Sequence, residues 1–163
     1  TMLAKRGPEV VDSEKARDLA CRAIPFSRFI FENELGNLTN LMKSGRQRPK
    51  ATYHDSCHHK NLWKAGRDSR KLVELALQSK ILEMDEPDKC CGFAGSFSLD
   101  NPEISAALLA DKLAAIEKTG AAIVALDCPG CLLQIRGGCH RGGSSVRVAH
   151  TAEILESSIQ GQV

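Results

Sequence analysis

Cys90 and Cys91 are neighbours in the stretch DKCCGFAGSFS, residues 88 to 98, and no other feature narrows the fold as much. Adjacent cysteines are poor disulfide partners, because bridging them strains the peptide between them. In an extended strand their side chains would point to opposite faces. Two thiols that act together here need a bent backbone, and Gly92 and Gly95 permit one, since glycine reaches positive φ without steric cost. The chain holds seven cysteines, an odd number, and no secretory signal precedes them, which argues against a disulfide framework. Metal binding, catalytic thiols and buried packing remain, and spacing must choose among them.

The spacing follows the predicted elements. Ala16, Leu19, Ala20 and Ala23 recur at helical intervals, Pro25 interrupts them, and Phe26, Phe29 and Ile30 resume, which predicts an N-terminal helical segment over 13–44. A polar hinge, KSGRQRPK (43–50), closes a first unit of residues 1–49. From residue 50 to 163 short apolar stretches alternate with amphipathic ones. Strands are expected at 50–55, 80–85, 121–127 and 145–150, with helices near 68–79, 102–119 and 130–136 and a short terminal helix. Asn101 is the expected N-cap and Pro102 the first helical residue of the longest helix, which Gly120 ends. The alternation predicts an α/β domain, a mostly parallel four-stranded sheet flanked by helices and preceded by the N-terminal helical segment.

In an open parallel sheet the carboxyl ends of the strands share one edge, where ligand sites collect. Cys57 follows the first expected strand, Cys90 and Cys91 the second and Cys128 the third, with Cys131 one turn on. Five sulfurs remote in sequence should therefore meet. Helix N-termini at that edge favour thiolates, the form a metal requires. Zinc, which needs four such ligands, is one candidate occupant. CPGC (128–131) alone would suit a thioredoxin-like dithiol, but that leaves Cys57 and the CC pair without a role. Cys21, on an amphipathic helix, reads as packing, and Cys139 as an exposed bystander. His54 and His150 read as structural, and the five phenylalanines as core. Arg136 beside Gly137 and Gly138 is a weak anion-binding signal.

The full pattern, C-x32-CC-x36-C-x2-C, with YHDSCH (53–58), CCGFAGSFS (90–98), PEIS (102–105), CPGC and QIRGG (134–138), resembles the cysteine-rich CCG domain. That domain occurs in the B subunit of heterodisulfide reductase and in iron–sulfur subunits of glycolate and lactate oxidation systems. The resemblance covers about residues 50–156, and its neighbouring words are closer to the lactate and glycolate branch. It implies that Cys57, Cys90, Cys91, Cys128 and Cys131 ligate an iron–sulfur cluster of the [4Fe-4S] class, cubane or non-cubane. Beside them, His58, Gly92, Gly95 and Gly130 would shape or hydrogen-bond the ligands. The usual second glycine of CCGFGG is Ala94 here.

The resemblance further implies electron transfer during oxidation of a 2-hydroxy acid, from a flavin-containing dehydrogenase toward a quinone or another acceptor. The alternatives are disulfide reduction at a non-cubane cluster, as in heterodisulfide reductase, and a structural zinc-binding module. Such chains commonly carry two CCG domains, and one complete set is present here; with Thr1 at the start, the expectation is an excised C-terminal copy. Isolated from its second domain, the cluster edge would be open to oxidation and loss. The net charge of +2 offers no argument for nucleic acid, and no apolar run approaches a membrane span. Location in the cytoplasm, with contact to the inner membrane only through partners, is the corresponding expectation.

Overall fold

Residues 2–42 and 48–162 are described in the computed structural model of the chain. Three parallel strands, β1 (Ala51–Tyr53), β2 (Ile123–Leu126) and β3 (Arg147–His150), pair in the order β1-β2-β3. Ala51 stands opposite Ile123, Ile123 opposite Arg147, and Leu126 opposite His150. All residues of β1 and β2 are buried, as expected of a sheet covered on both faces.

The helices follow in chain order: α1 (Gly7–Val10), α2 (Glu14–Arg22), α3 (Phe26–Phe29), α4 (Leu35–Leu41), α5 (Gly66–Leu77), α6 (Phe97–Asp100), α7 (Pro102–Lys118), α8 (Pro129–Arg141) and α9 (Thr151–Gln160). The period of two along the strands divides the core. Ala51, Tyr53, Ile123 and Ala125 face Leu72, Val73, Ala76 and Leu77 of α5 and Ile154 and Leu155 of α9. Val124, Leu126 and Val148 face Leu109 and Ile116 of α7 and Ile135 of α8. A fully buried leucine such as Leu72 contributes about 1.5–3 kcal/mol through the water it leaves. Ser158 of α9 donates to the Ala76 carbonyl of α5 at 2.8 Å, which ties the two helices of one layer. Arg136 of α8 donates to Val148 O and pairs with Glu153, so it joins α8 to β3 and α9.

The fourth expected strand is absent among the described residues. Residues 80–85 run beside β1, and Leu82 N–H reaches Ala51 O at 2.8 Å. Ile81 N–H, however, turns to the Glu74 carboxylate. The Glu86 and Pro87 carbonyls are taken by Lys112, His54 and Asp55, so no ladder develops. The longest helix begins as expected, with Asn101 at the N-cap position although its side chain makes no capping bond, and Gly120 follows its end at φ +64°.

In the N-terminal segment Ser13 caps α2, and a π-helical turn (Ile30–Glu34) joins α3 to α4. Leu38, with Ile30, Phe31 and Leu35 beside it, packs on the α5–α9 side of the core. The phenylalanines do not all serve as core: Phe26 and Phe29 are exposed, because their side of the segment meets no covering element among the described residues. Helix α2 buries no residue, so Cys21 is exposed rather than packed. Cys139 shows the reverse, being buried between α8 and the sheet. Residues 43–47 of the expected hinge, with the last residues of the helical stretch 13–44, lie outside the described residues.

Two local devices hold the edge where the cysteines lie. Arg70 of α5 grips both oxygens of Asp55, at 2.6 and 2.8 Å, with its guanidinium 4.6 Å from the centre of the Tyr53 ring. After the CC pair the chain turns sharply: Gly92 has φ +88°, and a Cβ there would stand 2.4 Å from the Ser105 carbonyl oxygen. Ala94 follows at φ +37° and Gly95 at φ +64°.

Arg70→Ala should destabilise the chain by about 3 kcal/mol, because it strands the largely buried Asp55 carboxylate. The double variant with Asp55→Asn should recover part of that loss in urea denaturation. At the turn, left-handed backbone costs an alanine ~1–2 kcal/mol, and glycine returns ~0.4–1 kcal/mol of that to the unfolded chain. Ala94→Gly should therefore raise stability by about 0.5–1 kcal/mol, whereas Gly92→Ala should lower it by more than about 2 kcal/mol. The two urea midpoints, measured against the parent chain, check both signs.

Candidate metal centre

The five cysteines of the pattern come to the carboxyl edge of the sheet from three directions. Cys57 lies just beyond β1, Cys90 and Cys91 in the loop leading to the Gly92 turn, and Cys128 and Cys131 around the start of α8. All are free thiols. Cys91 and Cys131 are buried, Cys90 and Cys128 half-buried, and Cys57 exposed. Cys57 is nonetheless near enough to feel the charges of Cys90, Cys128 and Cys91.

Close approach of chain to chain makes this possible. Gly130, in the first turn of α8, lies against the Phe93 ring, and a Cβ would stand 2.5 Å from a ring carbon. Any side chain there would push the CC loop away from α8. Gly95 has no such neighbour, and its part is confined to the turn.

The sulfurs are electrostatically coupled. The Cys131 thiol is hydrogen-bonded to Cys128 and to Cys91 and is buried, and these together push its pKa far above the ordinary thiol range. Cys91 is drawn down to about 4, first by the hydrogen bond with Cys131, against the opposing effect of burial, and then by His54 and the Phe93 N–H. Cys128 falls to about 5, first through Cys131, again against burial, with help from the Cys131 and Gly130 N–H groups. Cys57 moves the other way: burial raises it, the His58 N–H opposes this, and the neighbouring sulfurs add to the rise. The expectation that helix N-termini would favour all the thiolates therefore holds at Cys128 and fails at Cys57 and Cys131. Like charges this close cannot all form without a cation among them.

Backbone N–H groups lie beside four of the sulfurs: Gly92 N–H donates to Cys90 at 3.3 Å, and those of His58, Phe93, and Gly130 with Cys131 are near enough to Cys57, Cys91 and Cys128 to favour their thiolates. Such bonds favour the thiolate and lower the electron density on a sulfur bound to metal. Donor type, crowding and N–H supply fit an iron–sulfur group or a thiophilic cation. His58 itself is exposed and stands on the wall of an adjoining cleft of about 460 Å³, together with Phe26, His59, Trp63, Asp127 and Cys128.

Sequence reasoning missed three residues around this centre. His54, read as structural, has its ring beside Cys91 and Cys131. Lys112 is buried, donating to Glu86 O at 2.8 Å and more weakly to Pro87 O, and so it steadies the stretch that leads to the CC pair. Burial lowers its pKa, and nearby negative groups, Asp88 and Cys91 among them, oppose that fall. Asp127 precedes Cys128 and accepts from Tyr53 at 2.5 Å and Thr151 at 3.0 Å on one oxygen. It thereby joins the ends of all three strands. Signals existed for two of the three. Lys112 lies on the same helical stripe as Leu109 and Ile116, and His54 falls at the carboxyl end of β1, where ligands were expected. His150, by contrast, is structural as read, capping α9 with Nδ1 accepting from Ala152 N–H.

Comparison with known proteins agrees with the geometry. The model of the CCG cysteine-rich domain family matches residues 51–136. The chain is 32% identical over 155 residues to the "Probable glycolate oxidase iron-sulfur subunit" of Bacillus subtilis (strain 168), covering 94% of this chain and 34% of that protein. It is 32% identical over 157 residues to "Lactate utilization protein A" of Lysinibacillus sphaericus (strain C3-41), covering 93% of this chain and 67% of the relative. With the protein of that name from Shouchella clausii (strain KSM-K16) identity is 38% over 109 residues, 66% of this chain and 45% of the other. The chain thus spans between about one third and two thirds of the length of these relatives. Cysteine spacing, the crowded sulfurs at the sheet edge and these matches together make the chain a member of the CCG cysteine-rich domain family.

Proposed function

We propose that this chain is an iron–sulfur electron-transfer domain of an oxidoreductase acting on a 2-hydroxy acid such as lactate or glycolate. The observation that carries the reading is the set of backbone N–H groups lying beside four of five converging sulfurs. Cys57, Cys90, Cys91, Cys128 and Cys131 would hold a cluster of the [4Fe-4S] class. Bound there, it supplies reversible one-electron storage. The chain's own residues set the conditions for that storage. The N–H groups of His58, Gly92, Phe93 and Gly130 offset negative charge on the sulfurs and so favour the reduced state. Burial of Cys91 and Cys131 excludes water from the inner side, while exposed Cys57 and His58 leave the outer side accessible to a partner.

The names of the relatives support the substrate class, since two of them are called lactate utilization proteins and one a probable glycolate oxidase iron-sulfur subunit. On this reading a flavin-containing dehydrogenase delivers electrons, a second CCG domain completes the whole protein, and a quinone or another acceptor receives them. Residues 50–163 form the cluster domain and 1–49 a helical segment packed on it. No helix among the described residues is long and apolar enough to cross a membrane. We place the protein in the cytoplasm, with any membrane contact made through its partners.

Chain purified without oxygen and reconstituted with iron and sulfide should contain about four irons with matching sulfide. The brown absorption should be lost in Cys91→Ser and Cys128→Ser and kept in Cys21→Ser and Cys139→Ser. Equal loss in all four variants, or stoichiometric zinc without sulfide after reconstitution, would overturn the assignment, and the zinc result would favour a structural module.

A further inference from the structure

His54 sits at the end of β1, and its ring is 1% exposed. Its Nδ1 lies 3.1 Å from the Pro87 carbonyl oxygen, which only accepts, so Nδ1 carries the hydrogen. In the neutral ring Nε2 then presents a lone pair. That atom is buried beside the Cys91 sulfur, without a hydrogen bond of good geometry among the described residues. A buried imidazole nitrogen without such a bond is costly, and its surroundings say what it awaits. The His54, Cys91 and Cys131 ligand atoms all lie within 4.8 Å of one another.

Atoms this close can converge on a single ion. Metal–sulfur bonds of about 2.3 Å and metal–nitrogen bonds of about 2.0 Å place tetrahedral ligands of one ion roughly 3.5–3.8 Å apart. Ligands of two different metals stand farther apart, because the metal–metal separation adds to the bond lengths. The second hydrogen bond of His54 has the form that metal-bound histidines adopt, with the far nitrogen fixed on a backbone carbonyl. That carbonyl is in turn steadied by Asp55 N–H at 2.9 Å and by Lys112. The ring is therefore oriented by the fold before any metal arrives.

We propose that His54 Nε2, Cys91 Sγ and Cys131 Sγ bind one and the same metal ion, so that the buried side of the centre is held by nitrogen as well as by sulfur. This rests on reading the site as a metal centre and goes beyond the five-cysteine assignment. In a cluster the shared ion would be one iron of a non-cubane arrangement, since a cubane iron takes a single protein ligand. A nitrogen in place of an anionic thiolate leaves that iron with less negative charge, which raises its reduction potential.

Cobalt(II) is the probe, titrated without oxygen into the metal-free full chain and followed by thiolate-to-cobalt absorption. One ion per chain should bind. His54→Ala and Cys131→Ser should each weaken it on the order of 100-fold, and Cys21→Ser, exposed on α2 and outside the centre, should leave it within about threefold of the parent, less than the tenfold loss of even an outer contact. Binding by His54→Ala equal to that of the parent, or equal weakening by Cys21→Ser, would overturn the proposal. A second readout needs no variant. In protein labelled with ¹⁵N-histidine, reconstituted with iron and sulfide and reduced, pulsed EPR should show a directly bound nitrogen whose coupling changes with the isotope. A cluster with no such coupling removes His54 from the iron. Failure of iron and sulfide to assemble while cobalt binds with the expected variant pattern would instead sink the iron–sulfur reading and leave the three-donor site standing.

Discussion

Cys131 is bonded to both Cys91 and Cys128 at the end of a parallel sheet, and three sulfurs so linked cannot all carry charge unless a cation lies among them. The arrangement of Cys91, Cys128 and Cys131 follows from that constraint: Cys131 is hydrogen-bonded to both neighbours, which draws their pKa down and pushes its own up. The rest of the molecule makes this crowding tolerable. Backbone N–H groups solvate the sulfurs that ionise, and α8 begins at Cys128 with its free N–H groups turned toward them. Beneath them, the short strands and their two helical layers bring three remote loops to one edge. A dithiol needs two sulfurs and a packed core needs none, so neither accounts for five.

Around the sulfurs stands a frame of buried polar groups, each fixed by a partner from another element. Tyr53 and Thr151 hold Asp127, and burial together with that carboxylate keeps the Tyr53 phenol well above its ordinary pKa. His59 sits between Ser69 at 2.9 Å and Ser27 at 3.4 Å, so α5, the N-terminal segment and the loop after β1 meet on one imidazole. Lys112 and Asp55 converge on the Pro87 carbonyl that orients His54. Isolated buried charges cost several kcal/mol, and these persist because every one is bonded to a group that the fold already holds still. The frame gives the ligand loops one geometry, which a site with little tolerance for displaced ligands requires.

What the sequence showed and what it concealed divide along a physical line. Strand-to-helix alternation follows local periodicity, and a parallel sheet sends strand ends to a common edge, so the edge position of Cys57 after β1 and of Cys128 and Cys131 after β2 was legible, whereas Cys90 and Cys91 follow no strand. The fate of residues 80–85 was not legible. Their apolar pattern suits a strand, but the Glu74 side chain takes the Ile81 N–H, and Lys112, remote in sequence, holds the Glu86 carbonyl just beyond them. Cys21 and Cys139 exchanged their expected environments for a similar reason. A helical stripe buries only if another element covers it, and α2 meets no such cover whereas α8 lies against the sheet. The same ambiguity hid His54 and Lys112, since a polar residue on a buried face reads as an error in the pattern until its partner is known.

The two sides of the centre therefore have different work. On the inner side Cys91, Cys131 and His54 are closed in by Met84, Leu109 and Ile135, where water is excluded and a metal-bound charge is felt strongly. On the outer side Cys57 is exposed and Cys128 opens onto a cleft walled by Phe26 and Trp63. Low dielectric on one side alone confines the tuning of the centre to residues the core immobilises and leaves exchange with a partner to those it does not. A structural zinc site gains nothing from such asymmetry, since it is best enclosed on every side. The proposed electron-transfer role would use one open flank, and Cys57 is exposed on that side.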